Sequence, residues 1–186
     1  MGLKLLRCGM VVKVLSGKLV YQGRAFSLKR EEVLLPTGRK TYRETVLHRG
    51  ASAIIPVRDD GRIIFVKQYR HPVGERIIEI PAGTLKSGEE PENCARRELE
   101  EETGYVPGEL TLLLTIYPSP GYSSERLHIY LARRLKKGLQ RLEVDEDLSI
   151  VDLSLNEAIE AIRNGEIRDA KTITAILYYH HFVEKC

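Results

Sequence analysis

Gly83 to Tyr105, GTLKSGEEPENCARRELEEETGY, is the stretch on which the fold of this chain turns. It reads as a helix from Ser87 to Thr103: Pro91 falls in the first turn, acidic residues gather at the start, and Gly104 follows the end. Glu98, Glu101 and Glu102 then stand at i, i+3 and i+4 and share one helix face. Unpaired carboxylates this close raise one another's pKa and cost the helix a few tenths of a kcal/mol per pair (roughly), unless a cation sits among them. Hard oxygen donors held this way suit Mg²⁺ or Mn²⁺, which complete their shells with waters and phosphate oxygens, so the pattern points to diphosphate chemistry. A solvated acidic face paired with Arg96 and Arg97 would account for the glutamates, but not for the register that ties them to Gly83 and Glu89.

Upstream of this segment, Pro81-Ala82-Gly83 is expected to end regular structure and to let the backbone approach something closely. A short strand from Arg76 to Ile80 precedes it. Before that, ASAIIPV from Ala51, a turn at Asp59-Asp60-Gly61 and RIIFVKQY from Arg62 read as a hairpin with a mostly buried second strand. Residues 10 to 47 read as a strand meander with turns at Ser16-Gly17 and Pro36-Thr37-Gly38. So few strands carrying so many charges bury little alone, so residues 1–48 are expected to form a β extension packed on the main domain or on a second subunit, with residues 49–186 as the catalytic domain.

Downstream, strands are expected at Leu110 to Ile116 and Leu127 to Leu131. The loop YPSPGYSSE, Tyr117 to Glu125, lies between them as a candidate substrate wall. The basic run Arg133, Arg134, Lys136 and Lys137 reads as a solvated loop. A strand at Leu148 to Leu153, a helix from Ser154 to Asn164 stopped by Gly165, and a last helix from Asp169 complete the chain. Strands and helices do not alternate strictly and no repeat is visible, so the class is α+β.

Composition fits a folded protein: of 186 residues 42% are hydrophobic and 30% charged. A net charge of +3 suits an anionic ligand and falls short of a dedicated nucleic-acid binder, so no nucleic-acid partner is expected. Cys8, Cys94 and Cys186 are odd in number and lack CxxC spacing, which argues against a disulfide framework or a zinc site. No apolar window reaches membrane-span length. The N-terminal apolar runs are broken by Lys4, Arg7 and Lys13, so a cytoplasmic protein without a membrane partner is expected.

Gly83, Glu89, Arg97-Glu98-Leu99, Glu101-Glu102 and Gly104 stand in the register of the Nudix box, which the segment resembles at all positions but one. Tyr105 replaces the usual aliphatic residue at a packing position. The resemblance implies a loop–helix–loop motif on an αβα sandwich with a mixed β-sheet, and hydrolysis of a nucleoside diphosphate linked to another moiety. It implies Glu98 and Glu102 as the main metal ligands, with Glu101 supporting them and Ala82 giving its backbone carbonyl. Arg97 would orient Glu89 or Glu101.

Gln68-Tyr69-Arg70, the EIPAG run from Glu79 to Gly83, and Ser119-Pro120-Gly121 are similar to the ADP-ribose pyrophosphatase branch of that family, over roughly His48 to His180. That branch implies Mg²⁺- or Mn²⁺-dependent cleavage of ADP-ribose, or of a related nucleoside diphosphate sugar, to AMP and ribose 5-phosphate by a homodimer. Arg70 would contact the diphosphate or the terminal ribose, bidentate guanidinium geometry suiting phosphate, unless it serves only in an ion pair. Glu79, Pro120, Gly121 and Glu125 would lie on the substrate side. The base would come from LEVDEDL, Glu146 first and Glu143 second. Tyr69, Tyr117 and Tyr122 could stack on adenine or simply pack, and His180 and His181 are expected to pack on the last helix. The alternatives are a non-catalytic ADP-ribose sensor and an RNA 5′-end pyrophosphohydrolase; intact glutamates oppose the first and the modest charge the second.

Overall fold

A computed structural model describes residues 11–142 and 147–184. They divide into two compact units: one runs through His48 and includes Ser119–Ser124, and the other comprises Arg49–Pro118 and the chain from Glu125 onward.

The first unit is an antiparallel meander of β1 (Lys13–Gln22), β2 (Ser27–Leu34) and β3 (Lys40–Leu47). Its second turn lies where Pro36-Thr37-Gly38 announces it, with Gly38 at φ 80°. The first turn does not: Ser16-Gly17 lies inside β1, and the chain reverses at Gly23, whose N–H donates to the Phe26 carbonyl at 3.0 Å. Gly17 pairs in register with Glu31 of β2, and the strand's irregularity falls just before it, between Val14 and Ser16, as a bulge instead of a turn. The loop Ser119–Ser124 joins this unit through Val46, whose N–H donates to the Tyr122 carbonyl and whose carbonyl accepts from Ser124. Among the unit's described residues Val33 is the one buried apolar side chain, while β1 is exposed throughout.

The second unit carries β4 (Ala51–Pro56), β5 (Ile63–Arg70), β6 (Glu75–Glu79), β7 (Ala82–Thr84), α1 (Pro91–Thr103), β8 (Tyr105–Ile116), β9 (Leu127–Lys137), β10 (Leu148–Leu153), α2 (Leu155–Arg163) and α3 (Ala170–Phe182). One sheet has the order β7-β4-β9-β8, with β4 and β9 parallel and the other pairs antiparallel; the other is antiparallel, in the order β10-β5-β6. The turn at Asp59-Asp60-Gly61 forms as expected, closed by one bridge between Val57 and Ile63. Beyond it the anticipated hairpin splits, because β7 and β9 occupy both edges of β4 and β5 must pair elsewhere.

Alternation along β4 builds two cores. Ala53 and Ile55 join Phe65, Ile129, Ala158 and Ile176 in the larger one, beneath α2 and α3. Ile54 points to the opposite face, against Ala95 and Leu99 of α1 with Tyr130 and Ala132 of β9. Helix, sheet and helix layers follow from that single strand, and the class is α+β. Ser154 and Glu157 cap α2 reciprocally in a capping box, and Asp169 caps α3 through the Thr172 N–H.

Two further expectations are corrected. The strand before Pro81 does end, at Glu79, but the irregular stretch is only Ile80 and Pro81: Ala82–Thr84 is again a strand, since the edge of β4 offers it partners, Ala53 opposite Ala82 and Ser52 opposite Gly83. Arg133, Arg134, Lys136 and Lys137 are exposed but not in a loop; they extend β9, where Arg133, Lys136 and Lys137 pair with Glu109, Val106 and Tyr105 of β8 and Arg134 stands at φ 51°. We expect Leu99→Ala, which empties a fully buried site under α1, to cost about 2–5 kcal/mol, read as a lowered urea midpoint at unchanged slope.

Candidate active site

The helix that carries the glutamates begins later than its composition suggests. Pro91 lacks an N–H and pushes Glu90 into extended geometry, ψ 142°, so α1 starts at Pro91, and Ser87 and Gly88 form a turn closed by the Glu89 N–H donating to the Lys86 carbonyl. Glu89 is thereby left outside the helix, where its carboxylate accepts the Lys86 N–H at 2.8 Å and faces Arg97.

Arg97 is the hub. Its Nε and Nη2 donate to the two oxygens of Glu89 at 2.8 and 2.9 Å, a fork-on-fork pair. Its Nη1 donates to Glu98 at 2.6 Å and to Glu101 at 2.9 Å. Arg97 thus donates to both Glu89 and Glu101, the two residues between which the expectation divided, and to Glu98 as well. The hydrogen bond from Arg97 holds the Glu89 carboxyl down to about 2, against the opposing effect of burial. The same partner holds the guanidinium above its ordinary value.

Glu98 and Glu102 lie one turn apart on the buried side of α1, and both face β7. The Ala82 N–H donates to Glu102 at 3.2 Å. Glu98 rests on Gly83 so closely that a Cβ there would stand 1.9 Å from its Oε1. Glycine at this position is therefore a matter of space, as the close-approach reading anticipated. Cys94 adds a contact that spacing gave no reason to suspect: its thiol donates to the Gly83 carbonyl at 3.5 Å, and burial pushes it up to about 11, so it stays protonated.

The far end of α1 is also tied down. Gly104, at φ 71°, closes the helix, and the irregular segment following β9 lends donors to its last carbonyls: Arg141 N–H to Glu101 at 2.9 Å and Gln140 Nε2 to Glu102 at 2.7 Å. At the other edge Arg70 gives Nε and Nη2 to Glu79, and Lys171 of α3 reaches the same carboxylate. The ion-pair role weighed for Arg70 is therefore real, with a half-exposed guanidinium on a buried carboxylate.

Of the anticipated residues, Ala82, Arg97, Glu98, Glu101 and Glu102 come together, and Arg70 meets Glu79. Glu125 stands half-buried just before β9, whereas Pro120 and Gly121 are exposed in the loop that belongs to the N-terminal unit. Glu143 and Glu146 lie outside the described residues. Tyr69, Tyr117 and Tyr122 are exposed, and the Arg126 guanidinium lies 5.9 Å from the Tyr117 ring centre. His181 packs edge-on against Phe182, and His180 faces Glu184 at 3.7 Å.

A family model for the NUDIX domain matches residues 46–176. The chain belongs to the Nudix family. It is 43% identical over 168 residues to an ADP-ribose pyrophosphatase of Bacillus subtilis (strain 168), covering 89% of this chain and 91% of that one. It is 39% identical over 168 residues to a methanol dehydrogenase activator of Bacillus methanolicus, with the same coverage of each chain. A crystal structure of an ADP compounds hydrolase superposes with a TM-score of 0.82 at 20% identity, over 94% of this chain and 95% of that one, which shows the shared fold.

Nudix ADP-ribose pyrophosphatases depend on divalent metal in general. Among the described residues no three His, Cys, Asp or Glu side chains already converge as a ligand set; Glu98 and Glu101 are engaged with Arg97. The donors nevertheless fit a hard cation: two buried carboxylates one turn apart, beside a strand kept free of side chain at Gly83.

The Glu89–Arg97 pair makes a pH prediction. A carboxyl depressed from 4.5 to about 2 contributes stability that is fully present above its unfolded value and is lost as pH falls through its folded one. Between pH 4.5 and 2, Glu89→Gln should flatten the acid-induced loss of stability followed by circular dichroism, while both proteins keep a constant difference above pH 6.

Proposed function

We propose that this chain hydrolyses the diphosphate of ADP-ribose, or of closely related nucleoside diphosphate sugars, releasing AMP and ribose 5-phosphate from ADP-ribose. The observation that carries the reading is the buried pair Glu98 and Glu102 on α1, aimed at Ala82 and Gly83 and steadied by Arg97. The similarity to a protein named ADP-ribose pyrophosphatase, across nine-tenths of both chains, supports the substrate class.

Glu98, Glu102 and the Ala82 carbonyl would hold Mg²⁺ or Mn²⁺, with Glu101 in support. When bound, such an ion supplies Lewis acidity toward the diphosphate and makes a water easier to deprotonate. The chain's own residues do the rest: Arg97 keeps the carboxylates in register, and Arg70, with an edge left beyond Glu79, contacts the diphosphate or the terminal ribose. Glu79 enters through Arg70, and Pro120, Gly121 and Glu125 line the substrate side. Glu146, or else Glu143, takes the proton from the attacking water.

The working form in this reading is a homodimer in the cytoplasm, with residues 1–48 as the dimerising extension of a catalytic domain 49–186. The first unit supports this: it buries Val33 but leaves Val14, Leu15, Leu19, Val20 and Tyr21 exposed, apolar surface that a second copy would cover. No helix among the described residues is long and apolar enough to cross a membrane.

Product analysis with ADP-ribose, other ADP-sugars, NADH and ATP, with Mg²⁺ or with chelator, tests the reading. AMP should appear chiefly from ADP-ribose and only with metal. Glu98→Gln and Glu102→Gln should each lower kcat at least about 100-fold, since even outer partners of metal sites cost about 10- to 100-fold. Tight ADP-ribose binding without turnover of any substrate would instead favour a sensor.

A further inference from the structure

Glu79 ends β6 with a side chain 4% exposed, and a buried carboxylate is tolerated only when its oxygens are matched. Two cations match it on separate oxygens. Arg70 donates Nε and Nη2 to Oε2 at 2.9 and 2.6 Å, and Lys171, in the first turn of α3, donates Nζ to Oε1 at 2.9 Å.

Lys171 is itself fixed. Its Nζ also pairs with Asp169 Oδ2 at 3.0 Å, the oxygen that accepts the Thr172 N–H at 2.9 Å and the Thr172 hydroxyl at 2.6 Å. The Thr172 hydroxyl oxygen accepts in turn from the Ile80 N–H at 2.9 Å, on the link that leads from β6 to Ala82 and Gly83. The lysine is mostly enclosed, 17% exposed, whereas Arg70 is 37% exposed. The ammonium is therefore spent inside the protein, while the guanidinium keeps an accessible edge.

We propose that Lys171 is a positioning residue for substrate, acting through Glu79 on Arg70. The inference rests on the reading of Arg70 as a contact to the diphosphate or its ribose. A guanidinium shared between a buried carboxylate and an incoming anion serves the anion only if the carboxylate is satisfied elsewhere. By taking Oε1, Lys171 divides the charge of Glu79 and leaves Arg70 poised rather than neutralised. Its removal turns the set Arg70, Lys171, Glu79 and Asp169 from zero net charge to minus one, and the whole carboxylate then bears on Arg70. An anionic diphosphate meets a weaker and less available guanidinium.

The test uses the full chain with Mg²⁺ and the variants K171M, K171Q and K171R, alone and combined with Arg70→Ala. Calorimetric binding of ADP-ribose in chelator gives a second readout, independent of turnover. K171M should raise KM and Kd on the order of tenfold, the scale of coupling within one charge network, and change kcat by less than about twofold. K171R should recover most of the loss, and the effect should vanish in the Arg70→Ala background. K171Q, which retains a hydrogen-bond donor and loses the charge, gives the same reading if K171M does not fold. Unchanged KM and Kd, or losses that add fully to those of Arg70→Ala, would overturn the inference while hydrolysis by the unaltered protein stands. Failure of the unaltered protein to bind or cleave ADP-ribose would overturn the underlying reading and this inference with it.

Discussion

One guanidinium, that of Arg97, sets the conditions for the rest of the site. Glu89, Glu98 and Glu101 all converge on it within 2.6 to 2.9 Å, and without it a turn and a helix face would hold like charges partly removed from water. Arginine suits the task because its planar fork engages two oxygens of one carboxylate and still presents a third nitrogen to two more; a lysine is a single point. The price is that Glu98, whose proposed role is toward a metal, is held by a cation of the protein's own.

The second constraint is the segment from Glu79 to Thr84, the end of β6 and the whole of β7 joined through Ile80 and Pro81. It is fixed from four directions: by Lys171 and Arg70 at Glu79, by Thr172 at Ile80, by the Ile54 N–H at the Pro81 carbonyl, and by the pairing of β7 with β4. Glu98 and Glu102 face a backbone that cannot easily move, and the missing side chain at Gly83 makes the approach possible. Precision here comes from many modest polar contacts on a rigid sheet, the arrangement by which binding constellations are held to productive geometry. The larger core beneath α2 and α3 serves this end by anchoring the N-terminus of α3, the source of Lys171 and Thr172.

Much of this was legible in the residues themselves. The helical spacing of Glu98, Glu101 and Glu102, the glycine that ends α1, the caps of α2 and α3, and the turns at Gly38 and Gly61 are local signals, and local physics reads them. The failures are of another kind. Ser16-Gly17 carries turn chemistry, yet pairing with β2 along ten residues overrides it. The split of β4 from β5 depends on which strands claim the edges of β4, and no window of sequence contains that. Arg70 with Glu79 could be guessed from a motif, but Lys171 lies 92 positions from Glu79 and Gln140 38 from Glu102, so their contacts are legible only once the sheet has brought them together. Pro91 did hold the clue to where α1 begins, in its missing N–H and its effect on Glu90.

The most direct test of the proposed metal site is a Mn²⁺ titration of the unaltered protein and of Gly83→Ala, followed by electron paramagnetic resonance of the free ion. A methyl group at residue 83 would overlap Glu98 and must displace it, so Mn²⁺ affinity should fall at least about tenfold while the far-ultraviolet spectrum is retained. Equal affinity in the two proteins, both folded, would show that Glu98 and the close approach at Gly83 do not form the metal site.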